Sequence, residues 1–207
     1  MKQVILIVMV ALVALVGCEK PPPPEPPAPP PPPPPTADEL YRGVMQKIEP
    51  SIVPSAAMGP ILAAALQAEL SGLNAQVNGP QAKQKVASDL VERLKQARST
   101  EQWELVLVLC DGLDVMEPGG SRTSNYRDQA LAEKARPTVK VKGFFEQDGV
   151  TNVFMDVFVP TTGKTESVKR REGEEFLGLV LEKIVGDKKA IQLRYKATGA
   201  TFTVPAP

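Results

Sequence analysis

The sequence predicts an α+β chain in consecutive parts: a signal peptide, a proline-rich tether, a helical middle and a small C-terminal antiparallel β-sandwich or barrel. Three observations carry this. An apolar run near the start gives way to a proline tract. From Thr36 to Arg136 apolar residues recur at the 3.6-residue spacing of helices, and after Pro137 they alternate with polar ones at period two. The boundaries fall at 1–17, 18–35, 36–136 and 137–207.

Composition narrows the function classes. A chain of 207 residues holds one or two small domains. Its 24 Lys+Arg balance 24 Asp+Glu, so no basic excess exists to neutralise the phosphates of a nucleic acid. No histidine is present, which removes His-based acid–base catalysis and the commonest metal ligand. Two cysteines cannot make a disulfide framework. These features point to a scaffold or adaptor, with no catalytic residue, metal or cofactor.

After Met1-Lys2 comes an apolar run from Val4 to Val16. As a helix it spans roughly 20 Å, too short for a hydrocarbon core of about 30 Å, and matches the apolar segment of a signal peptide. Leu15-Val16-Gly17-Cys18 resembles the bacterial lipobox: aliphatic, any, small, cysteine. That resemblance implies cleavage between Gly17 and Cys18, diacylglyceryl transfer to the Cys18 thiol and acylation of the new amine. Each buried methylene then contributes about 0.8 kcal/mol to membrane anchoring. Glu19 is not the aspartate that retains some lipoproteins at the inner membrane, so inner and outer membrane both stay open.

Residues 21–35 read PPPPEPPAPPPPPPP, broken only by Glu25 and Ala28. With fixed φ and almost no amide donors, such a run adopts polyproline II and extends roughly 45 Å at ~3.1 Å per residue. It reads as a stiff stalk; the rival is a ligand for an SH3-like groove.

Thr36-Ala37-Asp38-Glu39 carries a capping-box signature, and the helix it opens sets Leu40, Tyr41, Val44, Met45 and Ile48 on one face. Pro50 and Pro54 break the chain over 49–59. The spacing predicts a second helix over Ile61–Val77 and a restart at Asn78-Gly79-Pro80. A third helix then runs to about Arg98. Ser99-Thr100-Glu101-Gln102 reads as another capping box before a fourth helix, Trp103–Met116, closed by Glu117-Pro118-Gly119-Gly120. A fifth covers about Ser124–Ala135. The segment from Val86 to Pro118 also resembles one tetratricopeptide repeat, with Trp103 early in its second helix. Stable arrays usually need three or more. Trp103 reads as core, with an exposed partner anchor as the alternative.

The β pattern opens with Val139, Val141 and Gly143 alternating with Lys140 and Lys142, running on into Phe144-Phe145. Gly149 turns the chain into a strand with Val153, Met155, Val157 and Val159 on one face. Lys164–Lys169 is more polar and reads as an edge strand. Leu179–Val185 follows, then Gly186-Asp187, read as a two-residue primed hairpin turn. The return strand sets Ile191, Leu193 and Tyr195 on one face, and Ala200–Val204 finishes the module.

Within this region, Val168-x-x-x-x-Gly173-Glu174-x-Phe176-x-Gly178-x-x-x-x-Lys183-Ile184-x-Gly186-Asp187-x-x-x-Ile191-x-Leu193 resembles the C-terminal module of the PilP family of type IV pilus assembly lipoproteins. It is also similar to the homologous region of type II secretion protein C. The order of lipobox, proline tether, helical region and β module matches that family. The resemblance implies a non-enzymatic role in pilus biogenesis and twitching motility, facing the periplasm from an inner-membrane anchor. The membrane-proximal part would bind a PilN–PilO-like pair and the β module a PilQ-like secretin. An envelope scaffold lipoprotein of tetratricopeptide type is the alternative.

Candidate contact residues follow from edge-strand logic: Lys164, Ser167, Lys169 and Arg170 on the polar strand, and Thr201 and Thr203 on the last. A solvated edge is the competing reading. Lys169-Arg170-Arg171 beside Glu172, Glu174 and Glu175 would steer a charged partner, against the plainer reading of a mixed-charge turn. Cys110, among apolar helix residues, reads as a buried structural thiol. Asp111 and Asp114 read as a solvated helix face.

Overall fold

The computed structural model describes residues 32–118 and 121–207. The leader, Gly17, Cys18 and most of the proline tract lie outside the described residues. Pro34–Pro207 forms one compact unit of mixed α+β class, with five helices and two antiparallel sheets.

The helices are α1 (Ala37–Ile48), α2 (Met58–Leu73), α3 (Gly79–Ser99), α4 (Trp103–Met116) and α5 (Ser121–Lys134). At the start of α1 the Thr36 capping box is formed. The Glu39 amide donates to the Thr36 hydroxyl, and the Thr36 amide donates to the Glu39 carboxylate at 2.8 Å. Donation to it from the Thr36 amide, then from the Thr36 hydroxyl at 2.9 Å, holds the Glu39 carboxyl below its usual range. Val44, Met45 and Ile48 on its apolar face are buried, and α4 lies between α2, α3 and α5. Gly112 permits the close approach of α2: a Cβ there would come within 2.9 Å of Leu62 and 3.0 Å of Leu66. Trp103 packs half-buried against this core.

Three helix boundaries differ from the sequence reading. Helix α2 runs over Met58–Leu73 instead of Ile61–Val77. Pro60 is tolerated because first-turn amides have no intrahelical acceptor. The C-terminal end comes early because the Leu73 carbonyl accepts from Gln76 at 3.1 Å and Gly79 packs against that same carbonyl, where a Cβ would sit 1.8 Å from its oxygen. Helix α5 begins three residues before Ser124. The second capping box is not formed. The Ser99 and Thr100 hydroxyls donate back to the Gln96 carbonyl at 2.8 and 3.0 Å, and Glu101 takes a left-handed φ of 55°. At the end of a helix the carbonyls three and four residues back are the nearer partners for these hydroxyls.

The strands are β1 (Thr138–Gln147), β2 (Val150–Val159), β3 (Lys164–Arg170), β4 (Glu175–Phe176), β5 (Leu179–Val185), β6 (Ala190–Tyr195) and β7 (Thr201–Pro205). They form a three-stranded sheet, β1-β2-β3, and a four-stranded sheet, β4-β5-β6-β7. Val139, Val141, Val153, Met155 and Val157 of the first share one core with Leu179, Leu181, Ile191 and Leu193 of the second. Strand β3 is an edge, as its polarity predicts.

Turn chemistry corrects one expectation. The connection at Gly186-Asp187 is not a two-residue turn: Val185 pairs with Ala190, leaving four loop residues, and Gly186, Asp187 and Lys188 all have positive φ. The two-residue primed hairpins lie elsewhere. Asp148-Gly149 joins β1 to β2 and Leu177-Gly178 joins β4 to β5, each with positive φ at both central residues, as the right-handed strand twist favours.

Helical and β parts meet at the end of α5. Ala132 packs on the β core, the Thr198 hydroxyl donates to the buried Glu133 carboxylate, and the Arg136 guanidinium stacks 4.9 Å from the Phe202 ring centre.

Candidate partner-binding face

The outer face of the three-stranded sheet carries three exposed phenylalanines, Phe145, Phe154 and Phe158, at 48, 43 and 42% exposure. Strand alternation explains two of them. With Val153, Met155 and Val157 turned inward, Phe154, Asp156 and Phe158 must face outward. The third depends on a β-bulge in β1 between Val141 and Gly143. The extra residue, Lys142, shifts the phase, so Phe144 and not Gly143 packs on the core and Phe145 turns out. The expected in-phase run Val139-Val141-Gly143 therefore holds only as far as Val141.

Strand β3 completes this face. Lys169 pairs across from Phe154, Ser167 from Asp156 and Thr165 from Phe158. Phe145 and Phe154 meet edge to face with centroids 6.5 Å apart. The Lys169 ammonium lies 5.5 Å from the first ring centre and 6.0 Å from the second, within cation–π range. Asp156 accepts from Ser167 Oγ at 2.8 Å and pairs with Lys142 at 2.8 Å. The Lys142 ammonium, then the Ser167 hydroxyl, hold the Asp156 carboxyl below its usual range. A carboxyl whose folded pKa is depressed stabilises the fold fully above its unfolded pKa, near 4, and loses that contribution as pH falls through the folded value. Asp156→Asn is therefore expected to flatten the acid limb of the stability curve below about pH 4 and to leave its shape at neutral pH unchanged, measured by urea unfolding across pH.

The six predicted contact residues do not form one cluster. Ser167 and Lys169 lie on the aromatic face, and Lys164 is exposed at the start of the same strand. Arg170 turns away: its guanidinium lies 6.0 Å from the Phe176 ring centre, and it donates to the carbonyls of Lys169 at 2.7 Å and Glu175 at 3.4 Å. Thr201 and Thr203 sit on β7 in the other sheet, opposite Arg194 and Gln192, and β7 runs close to β1. The backbone of Thr165–Val168 has no partner except β2 among the described residues. Sequence reasoning missed the phenylalanines, although the alternation of β2 already sets Phe154 and Phe158 on the face opposite its valines.

Other candidate groups are engaged locally. Arg171 pairs with Glu174 at 3.1 Å, the Ile184 amide donates to Glu172, and Lys196 pairs with Glu175 at 2.6 Å. Those carboxylates tie down a turn and do not converge on one point. Arg127 pairs with both Asp111 and Asp114 at 2.8 Å, so the two carboxylates anchor α5 to α4. The Cys110 thiol is buried, 3.7 Å from the Thr123 carbonyl oxygen. Burial raises its pKa to about 11, with Arg127 opposing and the two aspartates reinforcing. Because the thiolate is the reactive form, native Cys110 is expected to resist iodoacetamide at about pH 8 and to react readily once guanidinium unfolds the chain. Mass measurement of the peptide containing Cys110 reads this directly.

Comparison with protein-family models, curated proteins and solved structures yields no match for this chain.

Proposed function

We propose that the chain is a PilP-like envelope lipoprotein that mechanically couples inner-membrane and outer-membrane parts of a type IV pilus machine. In this reading Cys18 carries the lipid and holds the chain on the periplasmic side of the inner membrane. The proline tract spaces the folded part from that surface. The helical unit meets a PilN–PilO-like pair, and the two-sheet module, a small antiparallel sandwich, meets the N-terminal domains of a PilQ-like secretin. Such a coupling needs no reaction, cofactor or metal. It needs an anchor, a spacer of limited compliance and surfaces that remain open after folding.

The observation that carries this reading is the aromatic outer face of the three-stranded sheet beside the unpaired β3 edge. Large exposed aromatic side chains on one face mark interaction surfaces, and an unpaired edge presents main-chain donors and acceptors to a partner strand. The test is affinity purification of the tagged full chain from detergent-solubilised membranes. Recovery of both a secretin and an inner-membrane PilN–PilO-like pair is the expected result. Recovery of neither, with a different outer-membrane complex in their place, would overturn the reading and favour the scaffold alternative.

A further inference from the structure

We propose that the free edge of β3 accepts an acidic, extended segment of a partner protein, which adds a fourth strand to the three-stranded sheet and lays apolar side chains over Phe154 and Phe158. The inference rests on reading this face as the partner surface and specifies the chemistry of what covers it.

The opening on β3 has a defined length. Thr165–Val168 is the open stretch of β3; beyond it, Arg170 caps the Lys169 carbonyl and reaches β4. A segment of four or five residues fits this run, with its own amides and carbonyls satisfying those of β3. A lipid surface can cover exposed rings, but it supplies no complementary ladder for a strand edge.

Charge selects what enters it. The whole chain is neutral, yet this face and edge are not. Lys140, Lys164 and Lys169 form no ion pair among the described residues, and Lys140 acts on Asp156 only at longer range. Asp156 is taken by Lys142 and Ser167, which leaves Glu166 as the one unpaired acid on the strand. An incoming strand would lie directly beside Lys164 and Lys169, on the two faces of β3 and held by no carboxylate among the described residues, and opposite charges across a ladder stabilise it. Lys140, on β1 across the sheet, adds only to the longer-range field.

Like charges on β3 also disfavour a second copy of this chain as the occupant. The longest two-fold antiparallel pairing of β3 with itself centres on Ser167. It sets Lys164 opposite Arg170 at both ends, and like charges facing across a ladder are destabilising. The edge is thus protected against self-association while it stays open to an acidic strand.

The experiment places a photo-cross-linking phenylalanine analogue at Phe154 or Phe158 of the full chain in its own membranes, with Thr203 on the other sheet as control. The expected product at both phenylalanines, and not at Thr203, is a peptide of another protein rich in Asp and Glu. Combined Lys140→Glu, Lys164→Glu and Lys169→Glu substitution is expected to lower its yield more than about tenfold. Ser167→Pro, which removes an edge donor or crowds the ladder, should lower it as well. If Ser167→Pro unfolds the module, the exposed lysine variants decide the outcome alone. An adduct to lipid, to a second copy or to a peptide without acidic excess overturns the inference, as does no adduct or a yield unchanged by charge reversal. Recovery of a secretin with the whole chain but no acidic adduct here sinks this inference and leaves the PilP-like reading standing. An acidic adduct from an unrelated envelope protein does the reverse.

Discussion

Cys18→Ser is expected to abolish lipid attachment and, with it, stable residence on the membrane. In the proposed lipoprotein, two acyl chains on a diacylglyceryl thioether and a third on the amine would bury dozens of methylenes at about 0.8 kcal/mol each, far above what a neutral folded unit gains by resting on a bilayer. On the same reading, substituting Cys18 alone would also block removal of residues 1–17, whose apolar run would keep the chain at the membrane. The informative variant therefore carries Cys18→Ser behind a leader cleaved without acylation. It should fractionate with soluble periplasmic proteins, take up no labelled palmitate and show the mass of an unmodified N-terminus. The unaltered chain should show a mass that begins at an acylated Cys18. Palmitate incorporation by the Cys18→Ser chain would refute the anchoring scheme.

Leu193→Ala is expected to cost about 3 kcal/mol, the middle of the range for a fully buried leucine. Leu193 has 0% exposure and pairs with Leu181, also at 0%, on one side and with Phe202 on the other. It lies where the two sheets share their core, so a cavity there loosens both sheets together. For a unit the size of Pro34–Pro207, a loss of this size lowers the melting temperature by roughly 6–12 °C. If the proposed coupling role holds, recovery of a secretin should fall with it, since β3 keeps its edge geometry only while β2 is held against the core. Val180→Ala, on the face of β5 turned away from the shared core and with 8% exposure, removes fewer contacts and should shift the melt by much less. Equal shifts for the two variants would show that the core is not where the sheets are joined.

The exposed phenylalanines and the helix boundaries show where reading by local pattern stops. Phe154 and Phe158 were legible in principle, because strand alternation is a property of neighbouring residues. Phe145 was not, because its facing depends on a bulge at Lys142 that exists only in register with β2. The Ser99-Thr100-Glu101-Gln102 pattern satisfies a capping rule in composition. Its hydroxyls had two sets of backbone partners within reach, and α3 and α4 in place decide for the carbonyls behind. The turn at Gly186-Asp187 carried suitable residues for a primed hairpin, but pairing of Val185 with Ala190 lengthens the loop.

Over the described residues the sequence by itself determined the succession of helical and β parts and the edge character of β3. Periodicity, proline content and capping pairs express dihedral preferences and solvent partition over a few adjacent residues, and those act before any long-range contact forms. Tertiary structure alone decided which side chains share a face: that Lys169 stands over Phe145 and Phe154, that Arg170 turns to Phe176, and that Thr201 and Thr203 belong to the other sheet. Those outcomes depend on sheet order and bulge phase, which are set by pairing between residues far apart in the chain, where one residue of slip sends a side chain to the opposite face.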